Sequence, residues 1–180
     1  MGLTFSSLWA RLFGAAELKI LILGLDNAGK TTILYRVTMG QAIETAPTVG
    51  SNTEIFEYKN LKFALWDIGG QSSIRSQWAQ YFIATKAVIL VVDSTDPARL
   101  HVSREELHRI CADETLRDAL LLVFANKQDV PGAMTAARVS DGLALTELRD
   151  RQWQIVPCSA ITGQGLFEGF DWLVTRLEKR

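Results

Sequence analysis

The sequence predicts an α/β domain: a mostly parallel sheet with helices on both faces and one antiparallel hairpin strand. Three observations carry that expectation. Residues 20–23, 87–92 and 120–125 are continuous apolar runs, the pattern of strands covered on both faces. Helical stretches at residues 29–38, 97–111, 135–145 and 166–177 alternate with them, as parallel strands joined by crossovers require. Between residues 52 and 66 the alternation breaks and two strands follow each other directly. The 180 residues suffice for one domain with a sizeable core, expected at residues 17–180 behind a separate N-terminal segment at residues 1–16.

Composition removes several classes. The 19 basic and 20 acidic residues leave a net charge of −1, so there is no footprint for nucleic acid. Hydrophobic residues make up 48% of the chain, yet no apolar run approaches the ~20 residues of a membrane-spanning helix. Cys111 and Cys158 lack metal-ligand spacing and read as reduced, buried thiols of a cytosolic protein. His101 and His108 lie in a charged stretch, residues 99–109, that reads as a solvated helix face and is given no catalytic role.

The first strand, residues 18–23, runs into Gly24-Leu25-Asp26-Asn27-Ala28-Gly29-Lys30-Thr31, and the helix follows at once. Glycines let several backbone N–H groups point at one anion, beside the positive end of a helix. This is a phosphate-binding loop. Gly24, Asp26, Asn27, Ala28 and Gly29 are candidate contacts, Lys30 reaches the terminal phosphates, the Thr31 hydroxyl suits Mg²⁺, and Thr32 continues into the helix. In the polar loop Ala46-Pro47-Thr48-Val49-Gly50, Thr48 is a second candidate metal ligand, held only while a third phosphate fixes the ion.

The hairpin, residues 52–58 and 61–66 around Lys59-Asn60, turns Leu61, Phe63 and Leu65 to one face. It ends in Asp67-Ile68-Gly69-Gly70-Gln71. Alone, Asp-x-x-Gly arises about once by chance in a chain this long, so position gives it meaning. Asp67 at a strand end beside a phosphate loop can hold Mg²⁺ through water, the Gly70 amide can meet a terminal phosphate, and Gln71 can orient an attacking water. After the strand at 120–125 comes Asn126-Lys127-Gln128-Asp129. The Asp129 carboxylate can accept from the two adjacent donors of guanine, Asn126 can serve the other base edge, and the Lys127 stem can lie over the ring. A weaker strand at 155–158 leads to Ser159 and Ala160, whose backbone can reach the guanine oxygen or merely turn into the final helix.

With these motifs in hand the chain resembles the small GTPases. Trp66-Asp67-Ile68-Gly69-Gly70-Gln71, the loop at 24–31 and Phe124-Ala125-Asn126-Lys127-Gln128-Asp129 resemble the ADP-ribosylation factor branch, over essentially the whole chain. The resemblance implies the three-layer P-loop NTPase fold, bound GTP or GDP with Mg²⁺, and a monomer served by an exchange factor, a GTPase-activating protein and effectors. Classical factors carry Phe where Ser51 stands, in a partner-binding triad with aromatics that correspond to Trp66 and Tyr81. Ser51 therefore suggests an Arf-like protein, closest to the fifth Arf-like subgroup. Trp66, Trp78 and Tyr81 are candidate partner contacts, with at least one expected to be buried. Asp26 is a carboxylate inside an anion-binding loop, which the family tolerates, so it is expected to point outward.

Met1-Gly2-Leu3-Thr4-Phe5-Ser6 fits the myristoylation pattern with Gly2 as acceptor. Phe5, Leu8, Trp9, Leu12 and Phe13 form one stripe of a short helix, which reads either as packed on the core or as apposed to a membrane. One myristoyl chain binds with a constant of only about 10⁴ M⁻¹, so the stripe would supply the second contribution. The resemblance implies both states in turn, tucked away with GDP and released with GTP as the hairpin shifts register. Glu178-Lys179-Arg180 offers no prenylation cysteine.

Three functions fit these residues. The first is a GTP-dependent switch recruiting effectors to the cytoplasmic face of intracellular membranes, with the Golgi and vesicle trafficking implied by resemblance. The others are a metabolic P-loop phosphotransferase and a scaffold that binds GTP without cycling. No cation beyond the loop lysine is aimed at the transferring phosphate, which predicts slow hydrolysis dependent on an activating protein.

Overall fold

The computed structural model describes residues 17–42 and 45–179. In chain order it contains β1 (Leu18–Leu23), α1 (Lys30–Met39), β2 (Ser51–Tyr58), β3 (Leu61–Ile68), α2 (Ser72–Arg75), β4 (Ala87–Asp93), α3 (Leu100–Ala112), β5 (Leu120–Asn126), α4 (Ala136–Leu143), β6 (Trp153–Pro157) and α5 (Leu166–Leu177). The six strands form one sheet in the order β2-β3-β1-β4-β5-β6. Every pairing is parallel except β2 with β3, where Tyr58 faces Leu61 across a two-residue turn.

The continuous apolar runs are explained by the layers. Successive residues of β1, β4 and β5 point to opposite faces, and both faces are covered. Ile20, Ile22, Ile89, Leu122 and Phe124 pack under α1 and α5, together with Ile33, Leu34, Phe170 and Leu173. Leu21, Leu23, Val88, Leu90 and Val123 pack under α3 and α4, together with Leu107, Ile110, Val139 and Leu143. The result is the three-layer P-loop NTPase fold that the sequence implied.

Local chemistry sets the element ends. Thr135 caps α4 by accepting the Arg138 N–H at 3.2 Å. The stretch expected as one helix from residue 97 begins instead with a 3₁₀ turn, Pro97–Arg99, because the Asp96 carboxylate accepts the Arg99 N–H and Pro97 starts the turn. The same helix departs from a purely solvated face. His101 and His108 are exposed, but Glu106 is buried between Arg75 and Arg109. The hairpin extends to Ser51 and Ile68, beyond the expected ends, and its tip is tied to α5. There the Tyr58 hydroxyl donates to Asp171 at 2.6 Å, and Lys59 lies 2.7 Å from the same carboxylate.

Among the described residues, α2 and the 3₁₀ turns Trp78–Tyr81 and Glu114–Leu116 were not legible in the sequence. Both cysteines are free, Cys158 buried and Cys111 half-buried. Among the described residues no helix is long and apolar enough to cross a membrane.

Candidate functional site

In an open parallel sheet, ligands bind at the carboxyl ends of the strands. Here those ends carry the loop after β1, Asp67 near the end of β3, Asp93 and Asn126 closing β4 and β5, and the turn after β6. A cleft of about 520 Å³ opens among them, lined by Asp26, Asn27, Gly29, Lys30, Thr31, Thr32, Thr48, Gly70, Gln71 and Lys127 from the predicted set, with Thr45 and Ile161 in addition.

The loop takes its shape from glycine at the two places where backbones touch. Gly24 sits at φ 148 with its α-carbon against the Val91 carbonyl, where any Cβ would collide. A Cβ on Gly70 would collide with the Gly24 carbonyl and stand 2.6 Å from the Asp26 nitrogen. Gly70 is thus pressed onto the phosphate loop, and its carbonyl accepts the Asp26 N–H at 3.2 Å.

Lys30 is buried, and its ammonium donates to the Leu25 carbonyl at 2.9 Å. Burial pulls its pKa below the ordinary lysine value, against the opposing charges of Asp67 and Asp26. Asp67 is fully buried, and desolvation pushes its carboxyl above the usual range despite hydrogen bonds from Thr31 and Thr48 and the nearby Lys30 charge. The Thr31 hydroxyl donates to Asp67 Oδ2, and Thr48 Oγ1 lies 2.9 Å from Thr31 Oγ1 and 3.2 Å from Asp67 Oδ2. Asp67 Oδ1 is buried without a hydrogen-bond partner. A burial-starved carboxylate oxygen beside two hydroxyls fits a hard cation such as Mg²⁺, which takes few protein oxygens and completes its shell with water and phosphate.

Gln71 is exposed at the rim of the cleft, its backbone opening α2 by accepting the Ile74 and Arg75 N–H groups. At the other end Lys127 adopts φ 67, and its ammonium lies 2.6 Å from Asp93, whose other oxygen accepts from Thr95 N at 2.8 Å and Oγ1 at 2.6 Å. Ile161, 59% exposed, lines the cleft with Lys127. Asp129 is exposed nearby, close enough that its charge adds to burial in raising the Cys158 thiol pKa.

Four of the expected nucleotide contacts, Asn126, Ala160, Ser159 and Ala28, have polar groups engaged within the protein, and of the three candidate partner aromatics Trp78 is the one that is buried, as expected. Asn126 is buried, donating to the Ala28 carbonyl at 2.8 Å and accepting the Ala160 N–H at 2.9 Å, so its amide braces the phosphate loop against the turn after β6. The Ala160 N–H is spent on that brace. Ser159 is buried too, and its hydroxyl accepts the Thr162 N–H at 3.1 Å, which makes it part of the turn. Trp78 is buried with its indole N–H donating to the Gly69 carbonyl at 3.0 Å, so it is no surface contact. Ala28 is likewise covered and contributes its carbonyl to Asn126, away from the cleft lining. Trp66 and Tyr81 remain half-buried, their rings 6.1 Å apart, with Lys19 above Trp66 at 4.9 Å and Ser51 exposed at the start of β2. Gly2 and the stripe from Phe5 to Phe13 lie outside the described residues.

Asp26 turns its carboxylate away from the cleft. Arg99 holds it, Nη1 standing 3.1 Å from each carboxylate oxygen. Arg99 and Asp93 were not anticipated as parts of the site. Asp93 carried a readable signal, an acid ending an apolar strand as Asp67 does; Arg99 carried none, since its partner is distant in sequence.

The model of the ADP-ribosylation factor family matches residues 5–177. The chain is 53% identical over 180 residues to ADP-ribosylation factor-like protein 5A of Bos taurus, covering 100% of both chains. It is 57% identical over 175 residues to ADP-ribosylation factor-like protein 1 of Saccharomyces cerevisiae, covering 97% of this chain and 96% of that one. Among solved structures it is similar to the Arl6 BBS3 small GTPase of Trypanosoma brucei with bound nucleotide analogue GppNp, at a TM-score of 0.84 and 37% identity over 91% of this chain and 99% of that chain.

Proposed function

The chain belongs to the ADP-ribosylation factor family, and on that premise we propose that it is a membrane-recruited guanine-nucleotide switch whose cation site is the Thr31–Thr48–Asp67 cluster and whose third-phosphate sensor is Thr48 with the Gly70 amide. As a member of that family of small GTPases it hydrolyses GTP to GDP and phosphate, and it serves as a GTP-binding switch in trafficking. The observation that carries the proposal is that Thr31, Thr48 and Lys30 line one cleft with Asp67 bonded to both hydroxyls behind them, and with Gly70 pressed against the loop.

In this reading the nucleotide phosphates lie along the loop from Asp26 to Thr32, with Lys30 on the terminal ones. Thr31 and Thr48 would hold Mg²⁺ directly and Asp67 through water, and an ion held there would supply charge neutralisation to the phosphates. Thr48 and the Gly70 amide report the third phosphate, because both belong to segments that the diphosphate does not reach. Asp129 and Lys127 take the guanine, with Ile161 beside the ring. Gln71 positions the water that attacks the terminal phosphorus as the bond to the GDP oxygen breaks. Among the described residues lining the cleft the cations are Lys30 and Lys127, and neither is an arginine. Hydrolysis is therefore slow until an activating protein supplies charge in trans, an effect of about 10³ to 10⁵ in rate.

Gly2 acylation and the apolar stripe give the membrane end of the switch, at the Golgi by its likeness to the family. An exchange factor, an activator and effectors complete the cycle.

The test is nucleotide selection. Wild-type protein should retain GDP and GTP over adenine and xanthine nucleotides, and Asp129→Asn should lose guanine preference and gain xanthine. Unchanged preference in Asp129→Asn removes the base assignment. Preloaded GTP should turn over slowly alone; rapid turnover without an activator contradicts the rate argument.

A further inference from the structure

Asp26 presents an electrostatic problem. A helix N-terminus and a row of inward N–H groups favour an anion, and a carboxylate in that loop competes with the phosphates and repels them. Its charge is felt at the buried Lys30 ammonium. The structure resolves this through Arg99, 73 residues away in sequence. One nitrogen of the guanidinium, Nη1, stands 3.1 Å from both Asp26 oxygens, and Nη2 donates to the Asp26 carbonyl at 3.2 Å. Its remaining edge, Nε, donates to Asp96 at 2.6 Å. Asp96 in turn accepts the Arg99 backbone N–H at 3.2 Å. The planar fork is thus fixed from behind before it meets the loop, which a lysine could not achieve.

We infer that Arg99 is a positioning residue for nucleotide retention: it draws the Asp26 carboxylate out of the phosphate site and neutralises it, so that the loop faces the ligand as a purely cationic cradle. The inference rests on the guanine-nucleotide reading above. It assigns Arg99 no contact with the nucleotide. Without Arg99, Asp26 is free to turn toward the loop N–H groups and Lys30, and the phosphates are held less firmly.

The two residues make opposite contributions, which gives the test its sign. Release of a fluorescent GDP analogue is followed at constant Mg²⁺ after adding excess unlabelled GDP. Arg99→Ala should release about three- to tenfold faster, and Arg99→Ala with Asp26→Asn should return to within about twofold of wild type, since the liberated charge is gone. Asp26→Asn alone, leaving Arg99 unopposed beside the loop, should release about twofold more slowly. A purely structural Arg99 predicts that the double variant is as fast as Arg99→Ala or faster, and that result overturns the inference, as does unchanged release in Arg99→Ala. Should Arg99→Ala fail to fold, Asp26→Asn decides alone: release as fast as wild type or faster overturns it. A wild-type protein that binds no guanine nucleotide would sink the functional reading instead, a distinct outcome from a wrong pattern among variants that do bind.

Discussion

Asn126 and Asp129 stand three residues apart in one motif and meet opposite fates. Asn126 is buried and satisfied at both ends of its amide by Ala28 and Ala160, whereas Asp129 is exposed and free to meet a ligand. The sequence identifies both as special because polar residues follow an apolar strand, but it does not say which one braces the fold and which one is left facing solvent. Cys158, beneath the same corner, yields a pH prediction. Burial, helped by the Asp129 charge, raises its thiol above the ordinary value of 9.0, and Cys111 is raised by burial as well. The unfolded chain therefore loses these protons first as pH rises, binds fewer of them than the native state, and is favoured. Stability is fully present below the ordinary thiol pKa and falls above it, by about 1.4 kcal/mol per pH unit for Cys158 while its native thiol stays protonated. Urea unfolding of wild type and Cys158→Ala between about pH 8 and 10 should show the wild type losing stability more steeply. A difference between the two that does not vary with pH would refute the assignment.

Among the elements, the strands and longer helices are the parts that sequence pattern describes well, because periodicity reports burial over many residues. The hairpin was legible for the same reason, its inward Phe63 and Leu65 alternating with Lys62 and Ala64. The four-residue α2 was not. A helix that short does not stand on its own propensity, and here it is held from outside. Arg75 lies 2.8 Å from Glu106 on α3, both largely buried, and Arg109 reaches the second oxygen of Glu106 at 3.0 Å. The buried Trp78 indole then fixes the chain after Gln71 to Gly69. Removing one partner of a buried pair leaves the other charge stranded, so Glu106→Ala should cost about 3 kcal/mol of stability, while Arg75→Met with Glu106→Leu should cost much less. Denaturant unfolding of the single and double variants checks this; equal losses would mean the pair is no more than a surface contact.

For the whole molecule, the sheet order decides what the motifs can do together. β1, β3, β4, β5 and β6 run parallel, so their carboxyl ends meet at one edge and gather Lys30 and Lys127 along a single cleft, with Asp67 bonded behind Thr31 and Asp93 behind Lys127. The membrane end of the proposed switch is tested at this scale. Acylated protein loaded with GTP should pellet with vesicles, GDP-loaded protein should stay in solution, and Gly2→Ala should abolish pelleting, since it removes the acyl chain and stable anchoring takes two contributions. Equal pelleting in both nucleotide states would separate membrane binding from the switch. The sequence by itself determined the three-layer fold and picked out the candidate phosphate loop, the candidate cation-holding trio and the proposed base-reading acid, because glycine, threonine and aspartate at fixed spacings carry their chemistry locally. Only the tertiary structure decided that Asn126, Ser159 and Trp78 are spent on bracing and that Arg99 restrains Asp26. Those choices depend on which polar atoms come within hydrogen-bond reach across 98 or 73 residues of chain, a matter of folded distance that no local pattern encodes.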